Sequence, residues 1–169
     1  NSKFFDKIKI FSYTFFKNIW SYKMIFIGSD HGGFDFKVEI INYIKDELKK
    51  EIKDIGCFSK ESVDYPDIAK NVCDEVIKKN GIGILICGTG IGISIAANKI
   101  DGIRCALCSY EYSAAMAKKH NNANVLALGG RTTGAELAKS IVKSFLESEF
   151  DGGRHEKRVD KIMNLEKTN

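Results

Sequence analysis

The feature that most constrains the fold is a regular alternation of short apolar runs and longer amphipathic segments, which begins at Met24. Runs of strand length alternate with segments whose apolar residues repeat at helical spacing, as at Phe36, Ile40 and Ile44. The pattern predicts strands over residues 24–28, 51–55, 82–87, 103–108 and 124–128. It predicts helices over residues 34–50, 66–79, 92–100, 109–119, 134–148 and 156–167. Such alternation predicts an α/β fold with a five-stranded parallel sheet between two helical layers.

Length and composition fit one globular domain of the Rossmann-like or flavodoxin-like kind. The chain has 169 residues, 44% hydrophobic and 28% charged, which is enough to bury a core. Its net charge of +4 lies in residues 1–23, which hold five lysines and one aspartate, while the remaining 21 basic and 21 acidic residues balance. A neutral body argues against a nucleic-acid partner. We therefore expect an N-terminal extension at 1–23 and one domain at 24–169.

The extension has no assigned role. It holds eight of the 18 aromatic residues, but its longest uncharged run is far shorter than a membrane span. An interfacial amphipathic segment, a targeting remnant and a misplaced gene start stay open, and we favour disorder. Met24 directly precedes the first strand and would make a natural start.

The cysteines predict a reducing compartment. Five are present, an odd number, and the sequence has no secretory signal, so free thiols and a cytoplasmic location are expected. Cys105 and Cys108 have CxxC spacing, but they lie in a strand-like run without a second pair. We therefore expect no metal site there.

Polar and reactive residues follow the predicted strands. In sheets of this kind, ligands bind at the carboxyl ends of the strands. Asp30 and His31 follow the first strand, a glycine-rich loop opening at Cys87 follows the third, and Arg131 follows the fifth. His120, which ends the fourth helix, is expected at the same edge of the sheet. This clustering predicts the site.

The loop after strand three is the strongest chemical signal. Cys87 opens a run in which Gly88, Gly90 and Gly92 alternate with other residues, just before a helix. Backbone N–H groups there can surround an anion, and they would stabilise charge that develops on a carbonyl oxygen. A thiol base beside such a pocket suits proton removal next to a carbonyl. The alternative is that Cys87 is a small buried residue ending a strand.

Histidines and arginines supply the other candidates. His120 could act as a general acid or base near neutral pH, or it could be structural. Arg154 and Arg158 share one helix face. With Arg131 they could clamp a phosphate. The chain has only four arginines beside 22 lysines, which suggests that the planar, forked guanidinium group is needed where arginine occurs. A solvated helix face is the alternative.

Together these motifs resemble one family, the type B ribose-5-phosphate isomerases with their galactose-6-phosphate isomerase relatives. The resemblance spans residues 24 to about 166 and is carried by six runs: 28–33, 64–66, 84–99, 120–121, 124–131 and 152–155. It implies an aldose–ketose isomerase without metal or cofactor, working as a homodimer or tetramer with shared active sites. Neither nucleic acid nor membrane is expected as a partner.

The resemblance also implies residue roles. Cys87 would move a proton between C1 and C2 through an enediolate, and His120 would open the furanose ring with help from Asp30. Thr89 is placed with these catalytic residues, and Asp30 and Thr89 would also bind substrate. Ile93 stands where some members carry a glutamate base, so this chain falls in the cysteine branch. The remaining binding residues would be His31, Tyr65, Gly88, Gly90, Ile91, Gly92, Asn121, Arg131, Arg154 and Arg158.

The expected substrate is ribose 5-phosphate, in the pentose phosphate pathway. Galactose-6-phosphate isomerases divide their catalytic residues between two unlike subunits, whereas this chain holds Cys87, His120 and the arginines together. Six-carbon substrates such as allose 6-phosphate or galactose 6-phosphate stay open, as does a non-catalytic module that binds sugar phosphates.

Overall fold

A computed structural model describes residues 23–168 of the chain. The predicted extension falls outside the described residues except for Lys23, so the prediction for residues 1–22 is not tested. Within residues 23–168, no helix has both the length and the apolar character needed to cross a membrane.

The described part of the chain contains the predicted alternation of five strands and six α-helices. The strands are β1 (Ile25–Ser29), β2 (Ile52–Gly56), β3 (Ile82–Cys87), β4 (Cys105–Leu107) and β5 (Val125–Gly129). The helices are α1 (Phe34–Asn42), α2 (Tyr65–Lys79), α3 (Ile91–Ala97), α4 (Glu111–Asn121), α5 (Ala135–Glu147) and α6 (Glu156–Asn164).

The strands form one parallel sheet in the order β2-β1-β3-β5-β4. Successive side chains of β3 alternate between two cores, because neighbouring residues in a strand point to opposite faces. Ile84 and Ile86 pack in the core that α1, α4 and α5 cover. Leu85 and Cys87 pack in the core beneath α2 and α3. The prediction of a three-layer α/β/α domain is therefore confirmed.

Several elements are shorter than predicted, and two of the differences have a local structural description. Strand β4 has three residues instead of six, because asparagine side chains replace strand partners at its start: Asn124 Oδ1 accepts from the Arg104 N–H at 2.8 Å, and Asn98 Oδ1 from the Cys105 N–H at 2.8 Å. Helix α1 ends at Asn42 and continues as a wider π-helical turn, Tyr43–Glu47. Such wide turns occur mostly as single turns within α-helices.

The order of strands reverses direction between β1 and β3. The chain leaves β1 towards β2 on one side of the sheet and returns to β3 on the other. Loops that diverge at such a point leave a crevice at the carboxyl ends of the strands. The loops that carry Asp30 and Cys87 flank this crevice, and they are held together by the Asp30 N–H, which donates to Ile86 O at 3.1 Å.

Candidate active site

The loop after β3 is fixed by backbone hydrogen bonds to the loop after β5. The Gly130 N–H donates to Cys87 O at 2.8 Å, and the Arg131 N–H donates to Gly88 O at 2.9 Å. These bonds extend the pairing of Cys87 with Gly129 beyond the end of the sheet. The carboxyl edge of the sheet is therefore a rigid frame for the residues at the crevice.

Cys87 lies at the mouth of this loop with only 5% of its surface exposed. The Gly90 N–H donates to Cys87 Sγ at 3.1 Å, which orients the sulfur towards the loop backbone. Gly90 has φ +76°, and a Cβ there would lie 2.5 Å from Leu107 Cδ1. Only glycine therefore fits the backbone that carries this N–H group.

Within the glycine loop, the Ile91 N–H is also engaged locally. It donates to Thr89 Oγ1 at 3.3 Å. Two of the loop's donors, those of Gly90 and Ile91, thus have partners inside the loop, to the Cys87 sulfur and the Thr89 hydroxyl. A ligand oxygen bound in the loop would have to use the remaining N–H groups or displace these contacts.

Arg131 lies across the crevice beside the loops after β1 and β3. A Cβ at Gly32 would lie 3.1 Å from Arg131 Nη2 and 3.3 Å from Asp30 Oδ1, and one at Gly88 would lie 3.6 Å from Arg131 Nη1. The guanidinium, the carboxylate and the Cys87 loop therefore meet at one place. Asp30 is held there because its Oδ1 accepts from the Gly33 N–H at 3.0 Å.

Tyr65 and His31 complete this side of the site. A Cβ at Gly92 would lie 2.7 Å from Tyr65 Cζ, so the tyrosine ring packs directly on the start of α3. His31 Nδ1 accepts from the Val63 N–H at 3.4 Å, which ties it to the segment before α2. The structure thus brings together Cys87, Asp30, His31, Tyr65, Arg131 and the glycine loop.

His120 and Asn121 lie elsewhere, in the last turn of α4. This helix runs antiparallel to the strands, so its end lies where β5 begins. The backbone carbonyl oxygen of Asn124, three residues after α4, accepts a hydrogen bond from the Gly83 N–H at 2.8 Å, near the start of β3. From Gly83 to Cys87 the strand rises about 13 Å, at roughly 3.3 Å per residue.

The expectation that His120 shares an edge of the sheet with Asp30 and His31 is therefore wrong for a single chain. The candidate residues form two sets, which we call the carboxyl-edge set and the amino-edge set. The carboxyl-edge set comprises Cys87, Asp30, His31, Tyr65, Arg131 and the glycine loop. The amino-edge set comprises His120, Asn121, Arg154 and Arg158. A side-chain acid or base acts across roughly 3 Å, so the two sets cannot meet on one substrate within one chain.

The amino-edge set has a histidine pair at its centre. The rings of His120 and His155 stack with centroids 4.2 Å apart and planes at 2°. His155 is buried, and Arg154 Nε donates to its Nε2 at 3.4 Å. Burial, followed by the proximity of His120, Arg154 and Arg158, lowers the pKa of His155. Sequence reasoning had given His155 no role.

Asp151 adds a carboxylate to this pair. One ligand atom from each of His120, Asp151 and His155 lies within 4.8 Å of the others. Imidazole lone pairs lie in the ring planes, so two parallel rings direct them side by side, and Arg154 already donates to one of them. The geometry favours a stacked pair over a set converging on an ion.

Burial disfavours the thiolate form at three other cysteines. Burial raises the pKa of Cys73 to about 12 and that of Cys108 to about 11, and it raises the pKa of Cys105 further still. The thiolate is the reactive form of cysteine. Burial therefore disfavours the reactive thiolate at both cysteines of the CxxC pair. All five cysteines, including Cys57 and Cys87, are free.

Comparison with known proteins assigns the family. A family model described as Ribose/Galactose Isomerase matches residues 25–162. The chain belongs to this family. Its members are aldose–ketose isomerases, and the chain is therefore an enzyme of that class.

Relatives within the ribose/galactose isomerase family match over almost their whole length. The chain is 49% identical to ribose-5-phosphate isomerase B of Escherichia coli over 146 residues, which is 85% of this chain and 97% of that protein. Among solved structures, ribose-5-phosphate isomerase B of Clostridium thermocellum is 51% identical with a TM-score of 0.83, covering 85% and 97% of the two chains. The enzyme of Thermotoga maritima is 50% identical with a TM-score of 0.81, covering 84% and 98%.

Proposed function

We propose that this isomerase interconverts ribose 5-phosphate and ribulose 5-phosphate through an enediolate, as a step of the pentose phosphate pathway. The observation that carries the proposal is the carboxyl-edge set, where a cysteine sulfur, a glycine loop, a carboxylate and a guanidinium meet at the crevice. Relatives at 49–51% identity named for this reaction support it.

The proton transfer is assigned to Cys87. The thiolate removes the proton from C2 of the open-chain aldose, and the electron pair moves to form the C1–C2 double bond of the enediolate. The proton then returns to C1, and a hydroxyl proton passes from O2 to O1. Backbone N–H groups of residues 88–92 and the Asn121 amide would stabilise the enediolate oxygens, with Thr89 beside them.

Ring opening and phosphate binding are assigned to the remaining candidates. His120, assisted by Asp30, would take the proton from the anomeric hydroxyl and deliver one to the ring oxygen. Tyr65 would pack against the sugar. The phosphate would be held by His31 and by three guanidinium groups, whose fork geometry matches phosphate oxygens, those of Arg131, Arg154 and Arg158.

These assignments require a homodimer with shared active sites, alone or paired into a tetramer. The amino-edge set of one chain must meet the carboxyl-edge set of another, since the two are about 13 Å apart along β3. An exposed apolar surface beside the Cys87 loop supports such an interface. Its members are Ile91, Ile95, Leu107, Tyr110 and Tyr112, which are 40–70% exposed. The free thiols support a cytoplasmic location.

Six-carbon sugar phosphates are the second candidate substrates, because the matching family model covers both ribose and galactose isomerases. The test is a panel of ribose 5-phosphate, allose 6-phosphate and galactose 6-phosphate with the purified full chain. We expect the highest kcat/KM with ribose 5-phosphate. A preference for a six-carbon phosphate would reassign the substrate. A bound flavin or nucleotide without turnover would favour a non-catalytic binding module.

The mechanism is tested by replacing the sulfur. Cys87→Ser and Cys87→Ala should remove nearly all turnover while calorimetry still detects substrate binding. Cys105→Ser, at a half-buried thiol of β4, is the matched control and should keep turnover within about twofold, because Cys105 lies outside both sets of candidate residues. Near-normal turnover by Cys87→Ser would rule out the thiolate as base.

A further inference from the structure

The stacked partner of His120 has no role in the mechanism above. We propose that His155 is a positioning residue, which fixes the ring of His120 in the orientation needed to open the furanose. This inference rests on the proposed function, since it concerns the same reaction. It follows from three features of the amino edge: a rigid support for His155, a stack with a single geometry, and a neutral ring facing His120.

The support is the start of α6. The His155 N–H donates to Gly152 O at 3.0 Å, and His155 O accepts from the N–H groups of Arg158 and Val159, both at 3.0 Å. Gly152 and Gly153 have φ of +63° and +55°, a conformation that favours glycine. The backbone of His155 is thus held on both sides, and its side chain is buried.

The end of α4 is held as well, so little freedom remains there besides rotation of the His120 side chain. Lys119 O accepts from the Asp151 N–H at 3.0 Å. Arg104 donates to Asn121 O and to Asn122 O, both from Nε at 3.1 Å. A histidine ring otherwise turns broadly about its last side-chain bond. A parallel ring at 4.2 Å restricts that rotation.

The contact with Arg154 favours an uncharged ring at His155, which faces His120. The Arg154 Nε–H needs a lone pair on His155 Nε2, which only an uncharged imidazole provides. Burial, followed by the proximity of His120, Arg154 and Arg158, also lowers the pKa of His155, while Asp151 acts in the opposite direction. A neutral partner can remain stacked whether or not His120 carries a proton, and a group that both accepts and delivers protons needs this.

The test measures which step limits the reaction. Ribose 5-phosphate with deuterium at C2 reports on proton abstraction by Cys87, which follows ring opening. We expect His155→Ala to lower kcat/KM by about 10- to 100-fold, as misplacement of a catalytic group by about 1 Å does. The isotope effect on kcat/KM should fall to unity or stay there, because ring opening becomes limiting. Cys87→Ser, with a slowed proton transfer, should instead show an isotope effect at or above that of the wild type.

Two further variants separate positioning from other roles. His155→Phe restores a flat ring and should recover most of the activity that His155→Ala loses. Lys157→Ala, on the exposed side of the same helical turn, should change kcat/KM by less than about twofold. Size-exclusion chromatography and thermal unfolding of each variant show that it is folded and assembled.

Several results would overturn the inference. One is a His155→Ala enzyme within twofold of the wild type. Another is a lower kcat/KM of His155→Ala whose C2 deuterium isotope effect rises, or stays above unity at the wild-type value. A loss confined to a higher KM would assign His155 to the phosphate site through Arg154. Failure of His155→Phe to exceed His155→Ala would show that no flat ring is needed. If the wild type itself converts no ribose 5-phosphate, the proposed function fails. In that case NMR of the His120 ring still tests the positioning, by comparing the wild type, His155→Phe and His155→Ala. The positioning role fails if the His120 ring has the same single orientation in all three proteins.

Discussion

Mixing two inactive variants is the sharpest test of the divided site. Cys87→Ala disables the carboxyl-edge set and His120→Ala disables the amino-edge set. If each active site takes one set from each chain, a dimer of the two variants has one site with both substitutions and one site with neither. The second site is assembled from the intact carboxyl edge of the His120→Ala chain and the intact amino edge of the Cys87→Ala chain.

The expected magnitude follows from symmetry. Random pairing of two variants in a twofold-symmetric dimer gives half mixed dimers, each with one intact site of two, so about a quarter of the wild-type activity returns. The separation of roughly 13 Å along β3 is the structural reason. Were both sets used within one chain, each chain would carry a defect in its own site and mixing would restore nothing.

The assay is co-expression of the two variants in equal amounts, followed by turnover of ribose 5-phosphate. The matched control pairs Cys87→Ala with Arg131→Ala, two substitutions at the same edge, for which no mixed dimer has an intact site. Activity of the first mixture no greater than the sum of its two parents would refute the divided site. Recovery in the control mixture would refute the assignment of Arg131 to the carboxyl edge.

Three further predictions concern stability and packing. Lys37→Ala should lower the free energy of unfolding by about 3 kcal/mol in urea titration, because the buried ammonium contacts both oxygens of Asp54 at 2.7 and 2.8 Å. The control Lys60→Ala breaks an exposed ion pair with Asp35 and should lower it by less than about 1 kcal/mol. Equal losses in the two variants would contradict the prediction. Burial lowers the pKa of Lys118 to about 8, so below that pH its charge costs stability, and the cost is relieved as pH rises from about 8 to the unfolded value of about 10.5. Relative to Lys118→Met, the wild type should therefore gain about 3 kcal/mol across that window, and a flat difference would contradict the shift. Gly92→Ala should displace the ring of Tyr65, which packs on Gly92, and lower kcat/KM about tenfold, while the higher helix propensity of alanine adds up to about 1 kcal/mol to the free energy of unfolding. Unchanged kinetics would show that the Tyr65 ring does not contact the sugar.

The fold could be predicted because periodicity reports which faces of strands and helices are buried. The run at residues 82–87 is apolar throughout and becomes the central strand, buried on both faces. Strand ends were less accessible to this reasoning. The side chains of Asn98 and Asn124 replace strand partners at β4, and such contacts across 7 and 20 residues leave no periodic signal.

The sequence predicts which residues are candidates for the site, but it does not predict how they are arranged. The place of His120 could have been derived, because a helix that precedes a parallel strand must end at the amino edge of the sheet. The role inferred for His155 could not, since its stack with His120 joins residues 35 positions apart. The only local signal is Gly152 and Gly153, whose positive φ angles form the turn that delivers His155.

The four arginines show why the planar fork matters in a chain with 22 lysines. Arg104 uses it structurally: Nη2 donates to Asn122 O at 2.8 Å and Nη1 contacts Met163 Sδ at 3.0 Å, so one side chain joins the end of α4 to α6. A single ammonium could not span both helices.

The other three arginines are divided between the two edges of the sheet, as are the residues assigned to catalysis in the proposed function. Arg131 lies at the carboxyl edge, while Arg154 and Arg158 lie at the amino edge beside His155. In the proposed mechanism, a phosphate held by all three needs the same meeting of opposite edges that would bring His120 to Cys87. In a twofold-symmetric dimer that meeting occurs twice, once for each site. One interface would therefore satisfy two separate requirements of the proposed function, and neither is met by a chain alone.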